Sequence, residues 1–306
     1  MGRKMEWAGR EKHMRGIPRK MVFLAVGAFA KAVATLLNTT SVHNADTLIR
    51  LVRSRPPGIP LLTVSNHMST LDDPLLWGFK GFPSLDANLA RWVLAAEDIC
   101  FKNSVLTYFF RLGKCIPITR GAGIYQEYMN EALQCLNNGA WLHTFPEGKV
   151  SQEDAPIRRL KWGTASLIVR AHVTPIVLPM VHSGFEETNK QENCGWCPLH
   201  PIFRPICRSK VMPEKFFLDR RPPFPLCNKK IKIMIGQPLE FDIPKMTELA
   251  ISKSSGDVFS STTTSRGWPV ISFYGLDLDE AAQRYLYSSI SEEIQSAMEE
   301  LRSSLK

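Results

Sequence analysis

The residues best placed to do chemistry together lie in Asn66-His67-Met68-Ser69-Thr70-Leu71-Asp72-Asp73-Pro74, where an imidazole precedes two carboxylates by five and six residues. A His beside an Asp is half of a proton-transfer device. The carboxylate fixes the tautomer and orientation of the ring, and the free ring nitrogen takes a proton from a hydroxyl. On one continuous helix a spacing of five sets the two side chains about 140° apart, so the pair requires a turn, or a His just ahead of a helix. The same spacing also suits a capping or turn cluster with a surface His. No Gly-x-Ser-x-Gly elbow occurs in the chain, so any nucleophile is expected to come from the substrate.

Three further segments carry weaker signals. Gly113-Lys114-Cys115-Ile116-Pro117-Ile118-Thr119-Arg120 ends in an Arg, whose planar fork suits two phosphate oxygens; a structural ion pair is the alternative use. Phe145-Pro146-Glu147-Gly148-Lys149 offers a carboxylate acceptor next to a residue that lets backbone approach a ligand closely, and it is also a good turn sequence. Pro175 opens an apolar run bounded by a second proline, Pro179.

The elements that must position these residues are readable from pattern. Short apolar runs predict strands at residues 59–66, 92–95, 115–119, 141–145, 174–181 and 229–236. Between them, apolar residues spaced by three and four predict helices at 125–136 and 160–171. Strands alternating with helices predict an α/β fold, a mixed and mostly parallel sheet flanked by helices, with functional loops beyond the strand ends. His67, Arg120 and Glu147 each follow a predicted strand.

At 306 residues, 44% hydrophobic and 22% charged, the chain is long enough to bury a substantial core and is not disordered as a whole. Its net charge of +9 points to an anionic partner. The absence of an organised basic stripe or a recognisable binding module argues against nucleic acid. Seven scattered cysteines do not form a disulfide framework, and one Cys194-Gly195-Trp196-Cys197 pair does not make a zinc site. A polytopic transporter is excluded, since at most one segment can enter a bilayer. That segment, 21–30, follows Arg3, Lys4, Arg10, Lys12, Arg15, Arg19 and Lys20. The reading preferred here is a basic arm and a helix in the membrane interface over residues 1–40, against the alternatives of a secretory signal or a buried core helix. Serine is absent from the first forty residues, so a transit peptide fits poorly. The remaining organisation reads as a domain over 41–250 with an irregular insertion at 188–210, a Ser/Thr-rich linker at 251–275, and an amphipathic helix over 276–306. That helix carries Ala282, Leu286, Ile290, Ile294, Met298 and Leu301 on one face, with Asp277 or Asp279 as N-cap.

Taken in order, His with four residues before Asp, Gly-x-x-x-Pro-x-x-Arg, Phe-Pro-Glu-Gly and a Pro-containing apolar strand resemble the four motifs of the glycerophospholipid acyltransferase superfamily. Asn66 to Trp77, Ala95 to Phe101, Pro117 to Gly121 and Trp141 to Lys149 look like its tafazzin branch, over roughly residues 17–187 and again 211–243. The resemblance implies transfer of fatty acyl groups onto a lysophospholipid, with cardiolipin remodelling as one expectation and an acyl-CoA-dependent lysophospholipid or phosphatidylethanolamine acyltransferase as the other. It implies His67 as general base and Asp72 as the residue that orients it. Arg120, Glu147, Gly148 and Pro175 become substrate-binding residues. It implies no cofactor or metal, acyl-CoA entering only as a donor substrate. The partners are phospholipid, lysophospholipid and an anionic membrane surface, with mitochondrial membranes expected and the plasma membrane or another endomembrane as the alternative.

Overall fold

A computed structural model describes residues 14–151, 156–185, 229–256, 268–273 and 276–305. The first arm, the 188–210 insertion with its cysteines, and most of the Ser/Thr-rich stretch lie outside the described residues.

The described chain opens with helix α1 (Ile17–Lys31), continued by one π-helical turn over Ala32–Leu37. Then come β1 (Thr39–His43), α2 (Ala45–Ser54), β2 (Leu61–Ser65) and the short α3 (Asp72–Leu76). Next are β3 (Trp92–Ala96), α4 (Glu97–Cys100), α5 (Ser104–Leu112), β4 (Cys115–Ile118), α6 (Glu127–Asn137), β5 (Trp141–Thr144), α7 (Gly163–Arg170) and β6 (Ile176–Ser183). The last are β7 (Lys230–Ile235), α8 (Ile243–Gly256), a hairpin of β8 (Ile271–Phe273) and β9 (Leu276–Leu278), and α9 (Glu280–Leu305).

The main sheet runs β1-β7-β6-β2-β5-β3-β4. The block from β6 to β4 is parallel, while β7 pairs antiparallel with β6 and parallel with β1. This is the mixed, mostly parallel sheet expected from the sequence. Every residue of β2 is buried, as a strand covered on both faces must be. Its side chains alternate between two cores: Leu61 joins α2, α3, Trp77 and Phe82 on one face, and Leu62 and Val64 join α6, α7 and α9 on the other. On α9 the stripe Ala282, Leu286, Ile290, Ile294 and Met298 is buried, and Asp279 caps it by accepting the Ala282 N–H at 2.7 Å.

Two stretches differ from their sequence reading. Residues 251–275 are not linker throughout: α8 extends to Gly256 and β8 occupies Ile271–Phe273, because α8 packs on α9 through the fully buried Ala250. Helix α1 is also partly core. Arg19, Phe23, Gly27 and Ala30, spaced by four, four and three, are buried against the domain, whereas Ile17, Met21, Leu24 and Phe29 are exposed. The segment Ile17–Leu37 is long and apolar enough to cross a membrane by length and composition.

Close backbone approach holds α1 down. A Cβ on Gly27 would stand 2.4 Å from the Ser84 carbonyl oxygen, and one on Gly78 would stand 2.2 Å from that of Ala30. Arg19 adds a cap, donating from Nε to the Leu112 carbonyl at 3.0 Å and from a terminal nitrogen to that of Arg111 at 2.9 Å. Gly27→Ala and Gly78→Ala should therefore each destabilise the fold by about 1–3 kcal/mol and speed tryptic cleavage at Lys31. Urea unfolding and timed proteolysis measure both, and wild-type behaviour in both variants would rule out this docking.

Candidate active site

Strand β2 ends at Ser65 and the chain turns before α3 begins at Asp72. The turn is organised around one carboxylate oxygen. Asp72 Oδ2 accepts the backbone N–H of Met68 at 2.6 Å and of Ser69 at 2.9 Å, and lies 2.9 Å from His67 Nδ1. An ionised carboxylate only accepts, so Nδ1 carries the proton and Nε2 presents its lone pair. Asp72 is wholly buried while the His67 side chain is 20% exposed. Nε2 makes no hydrogen bond among the described residues. Phe145 stacks on the ring, centroids 4.2 Å apart and planes 22° from parallel.

Both neighbouring strands clamp this turn. Just beyond β5, Glu147 Oε1 accepts the His67 backbone N–H at 3.1 Å, and the Ser151 N–H donates to the His67 carbonyl at 2.7 Å. From β6, Asn66 holds His182 at both ends of its side-chain amide: Nδ2 donates to the His182 carbonyl and Oδ1 accepts the His182 N–H, each at 2.9 Å. The His182 ring returns Nε2–H to the Asn66 carbonyl at 2.9 Å.

Beneath the turn lies a second, fully buried imidazole. Trp141 Nε1–H donates to Thr63 Oγ1 at 2.9 Å, which frees the Thr63 hydroxyl proton for His143 Nδ1 at 2.8 Å. The Ser65 hydroxyl donates to the Asn66 carbonyl, so its oxygen accepts from His143 Nε2–H at 3.3 Å. One direction of donation satisfies the whole chain and leaves His143 neutral. Burial pushes its pKa from 6.5 down to about 3 against the opposing charge of Asp73, and the Arg91 charge adds to the lowering. The other carboxylate of the pair, Asp73, faces away to Arg91, which donates from Nε at 2.9 Å and from a terminal nitrogen. Burial works against the Asp73 charge, and Arg91 overcomes it and holds the carboxyl below its usual range. Asp73 is thus engaged by Arg91, and by Trp77 Nε1–H at 3.3 Å. Burial pushes Glu147 the other way, upward, against the backbone N–H bonds from His67 and Arg158.

The structure brings His67, Asp72, Glu147 and Gly148 together, but not every residue expected at the site. Arg120 follows β4 on the same carboxyl edge, three strand spacings from β2, or about 14 Å at about 4.8 Å each. It pairs with Asp98, and both are about half exposed. A cleft of about 400 Å³ adjoins them, lined by Glu97, Asp98, Phe101, Lys102, Thr119 and Arg120. Pro175 is a correction. It precedes β6, whose first residue Ile176 registers with Leu61 at the start of β2 and donates its N–H to the Pro60 carbonyl at 2.9 Å. That is the opposite edge of the sheet from His67. The second proline of the run, Pro179, registers with Val64 instead. Sequence reasoning misses Asn66, His143 and His182 as members of the site. A His at the end of a predicted strand is the available signal for His182, as it is for His67.

The acyltransferase family model matches residues 40–183. An N-acylphosphatidylethanolamine synthase of Arabidopsis thaliana is 59% identical over 303 residues, 99% of this chain and 98% of that protein. A tafazzin of Drosophila melanogaster is 45% identical over 169 residues, covering 55% of this chain and 44% of its own length. A tafazzin of Saccharomyces cerevisiae is 30% identical over 231 residues, 63% of this chain and 55% of its own length.

The buried His143 has a consequence for stability. In the unfolded chain it takes a proton near pH 6.5 and in the fold only near 3, so between these values the unfolded state binds more protons. Its contribution is complete above pH 6.5 and is lost as pH falls, at about 1.4 kcal/mol per pH unit. Between pH 7 and pH 5, His143→Asn should lose about 2 kcal/mol less stability than wild type. Urea titrations at the two pH values check this, and equal losses would contradict it.

Proposed function

The chain belongs to the acyltransferase family, and from that premise we propose that it moves a fatty acyl group onto a lysophospholipid whose hydroxyl is deprotonated by His67. The observation that carries the reading is the 2.9 Å contact of His67 Nδ1 with the buried Asp72, which leaves Nε2 open at the carboxyl edge of the sheet. Nε2 accepts the hydroxyl proton as the acceptor oxygen attacks the acyl carbonyl of the donor. An ester C–O bond forms, the donor's C–O or C–S bond breaks, and His67 returns the proton to the leaving group. Asp72 faces the positive charge that the ring carries between these transfers. Phe145 keeps the ring in plane. Glu147 fixes the backbone of His67, Gly148 shapes the loop beside it, and Arg120 binds a lipid phosphate further along the same edge.

Likeness to the tafazzins supports a transfer between phospholipids that remodels cardiolipin. One observation favours a second acceptor: a relative that matches almost the whole chain is named for the synthesis of N-acylphosphatidylethanolamine. There the nucleophile is an amine, and His67 would take its proton in the same way.

The membrane supplies either substrate. The exposed apolar face of α1, Ile17, Met21, Leu24 and Phe29, lies on a helix packed against α5, whose Val105 and Phe109 are exposed too. We infer that this surface sits in the membrane interface, and the tafazzin likeness suggests mitochondrial membranes, another endomembrane or the plasma membrane being the alternative.

The test is transfer of labelled acyl groups from phosphatidylcholine or acyl-CoA to monolysocardiolipin, other lysophospholipids and phosphatidylethanolamine. His67→Ala should fold normally and lose about 10²- to 10⁴-fold in turnover. Transfer to monolysocardiolipin without CoA supports remodelling, and N-acyl product supports the second acceptor. A folded His67→Ala protein with wild-type turnover would overturn the mechanism.

A further inference from the structure

The clamp on His67 continues beyond Glu147. The buried Glu147 carboxylate accepts the His67 N–H and also the backbone N–H of Arg158, so one side chain joins the catalytic turn to the stretch ahead of α7. Glu147 can fix His67 only as firmly as Arg158 is itself fixed. On the far side of that stretch stands α9. Ile157, the residue before Arg158, donates its N–H to Glu299 Oε2 and accepts from Gln295 Nε2 at its carbonyl, each at 2.9 Å. That carbonyl belongs to the same planar peptide unit as the Arg158 nitrogen. The Gln295 bond at one end of the unit therefore sets the direction of the N–H that reaches Glu147 at the other.

Gln295 and Glu299 lie one turn apart on α9, so both side chains reach one residue. Arg302 steadies Glu299 in turn, its Nε lying 2.9 and 3.0 Å from the two carboxylate oxygens. Further along, the Lys161 N–H donates to the Pro146 carbonyl at 2.8 Å, and Trp162 Nε1–H donates to Ser288 Oγ on α9 at 3.1 Å. Ile157 and Leu160 share a core with Ile290, Ile294 and Met298 of α9. Apolar packing holds the stretch near the helix, and bonds to both backbone groups of Ile157 fix its orientation as well. Resting on the acyltransferase reading above, we propose that Gln295 and Glu299 are positioning residues for His67. They orient the Ile157–Arg158 peptide, its N–H holds Glu147, and Glu147 holds the backbone from which the imidazole meets the acceptor. Neither side chain touches substrate. Helix α9 thereby completes the active site from outside residues 40–183, the region that matches the family model.

The test measures acyl transfer by the full chain, with kcat and KM determined separately for acceptor and donor. Gln295→Glu is nearly isosteric but sets a carboxylate against the Ile157 carbonyl. Its kcat should fall about 10- to 100-fold, the cost of a misplaced catalytic group, with both KM values near wild type. Gln295→Ala and Glu299→Ala should show the same split, and they carry the test should Gln295→Glu fail to fold by circular dichroism. Glu299→Gln, whose amide oxygen accepts the same N–H, should recover most of what Glu299→Ala loses. Because the effect passes through Glu147, adding Gln295→Ala to Glu147→Ala should cost no further kcat, whereas unconnected effects multiply. Wild-type kcat in the folded alanine variants, a defect confined to KM, or losses that multiply in the double variant would overturn the assignment while wild type remains an active enzyme. A wild-type protein that transfers to none of the acceptors overturns the acyltransferase reading itself, and this assignment with it.

Discussion

One carboxylate oxygen governs the candidate site. Asp72 Oδ2 closes the turn after β2 by accepting two backbone N–H groups and orients the imidazole with the same charge. The local fold of residues 67–72 and the aim of His67 are therefore one interaction. A turn closed in this way needs little length, and α3 can begin at the very residue that closes it. The strand beneath cannot shift either, because Asn66 is tied to His182 on β6 and the His67 backbone is tied to Glu147 after β5.

Such precision requires buried polar groups, and the sheet accommodates them by leaving few unpaired. The Trp141–Thr63–His143–Ser65–Asn66 chain has a single consistent direction of donation, so a neutral ring fits where a charged one would cost several kcal/mol. Keeping His143 neutral also spares His67 a second positive charge close by when it holds the substrate's proton. Asp72 Oδ1 is one exception, a buried oxygen with no hydrogen-bond partner among the described residues. Its charge is shared instead with the three N–H groups on Oδ2, and the His182 ring nitrogen lies 3.6 Å from that same atom.

Much of this is legible in the sequence, for reasons that also mark the limit. The spacing of five between His67 and Asp72 calls for a turn or a His just ahead of a helix, and the chain turns after β2 with His67 ahead of α3. Period-two and apolar runs locate the core strands, since β2, β5 and β6 are covered on both faces. Partners across strands are not legible. That β6 lies beside β2, and β5 on its other side, is a fact of strand order, which no local pattern carries. Hence Asn66–His182 and Thr63–His143 escape notice, and Pro175 is expected in the site when the direction of β6 takes it to the far edge.

The arrangement of the two cores decides where a substrate can approach. One face of the sheet is taken by α6, α7, α8 and α9, the other by α1, α2 and α3, so neither face is free and the carboxyl edge remains. Helix α1 packs directly on α3, the helix that starts with Asp72, and Gly78 just beyond α3 meets Ala30. The outward side of α1 is apolar and its inward side touches the element that closes the turn around His67. Among the described residues, a lipid surface on that outward side is thus separated from the open imidazole by one helix and its neighbour. For a substrate that cannot leave a bilayer without exposing its acyl chains to water, so short a path is the geometry the chemistry demands.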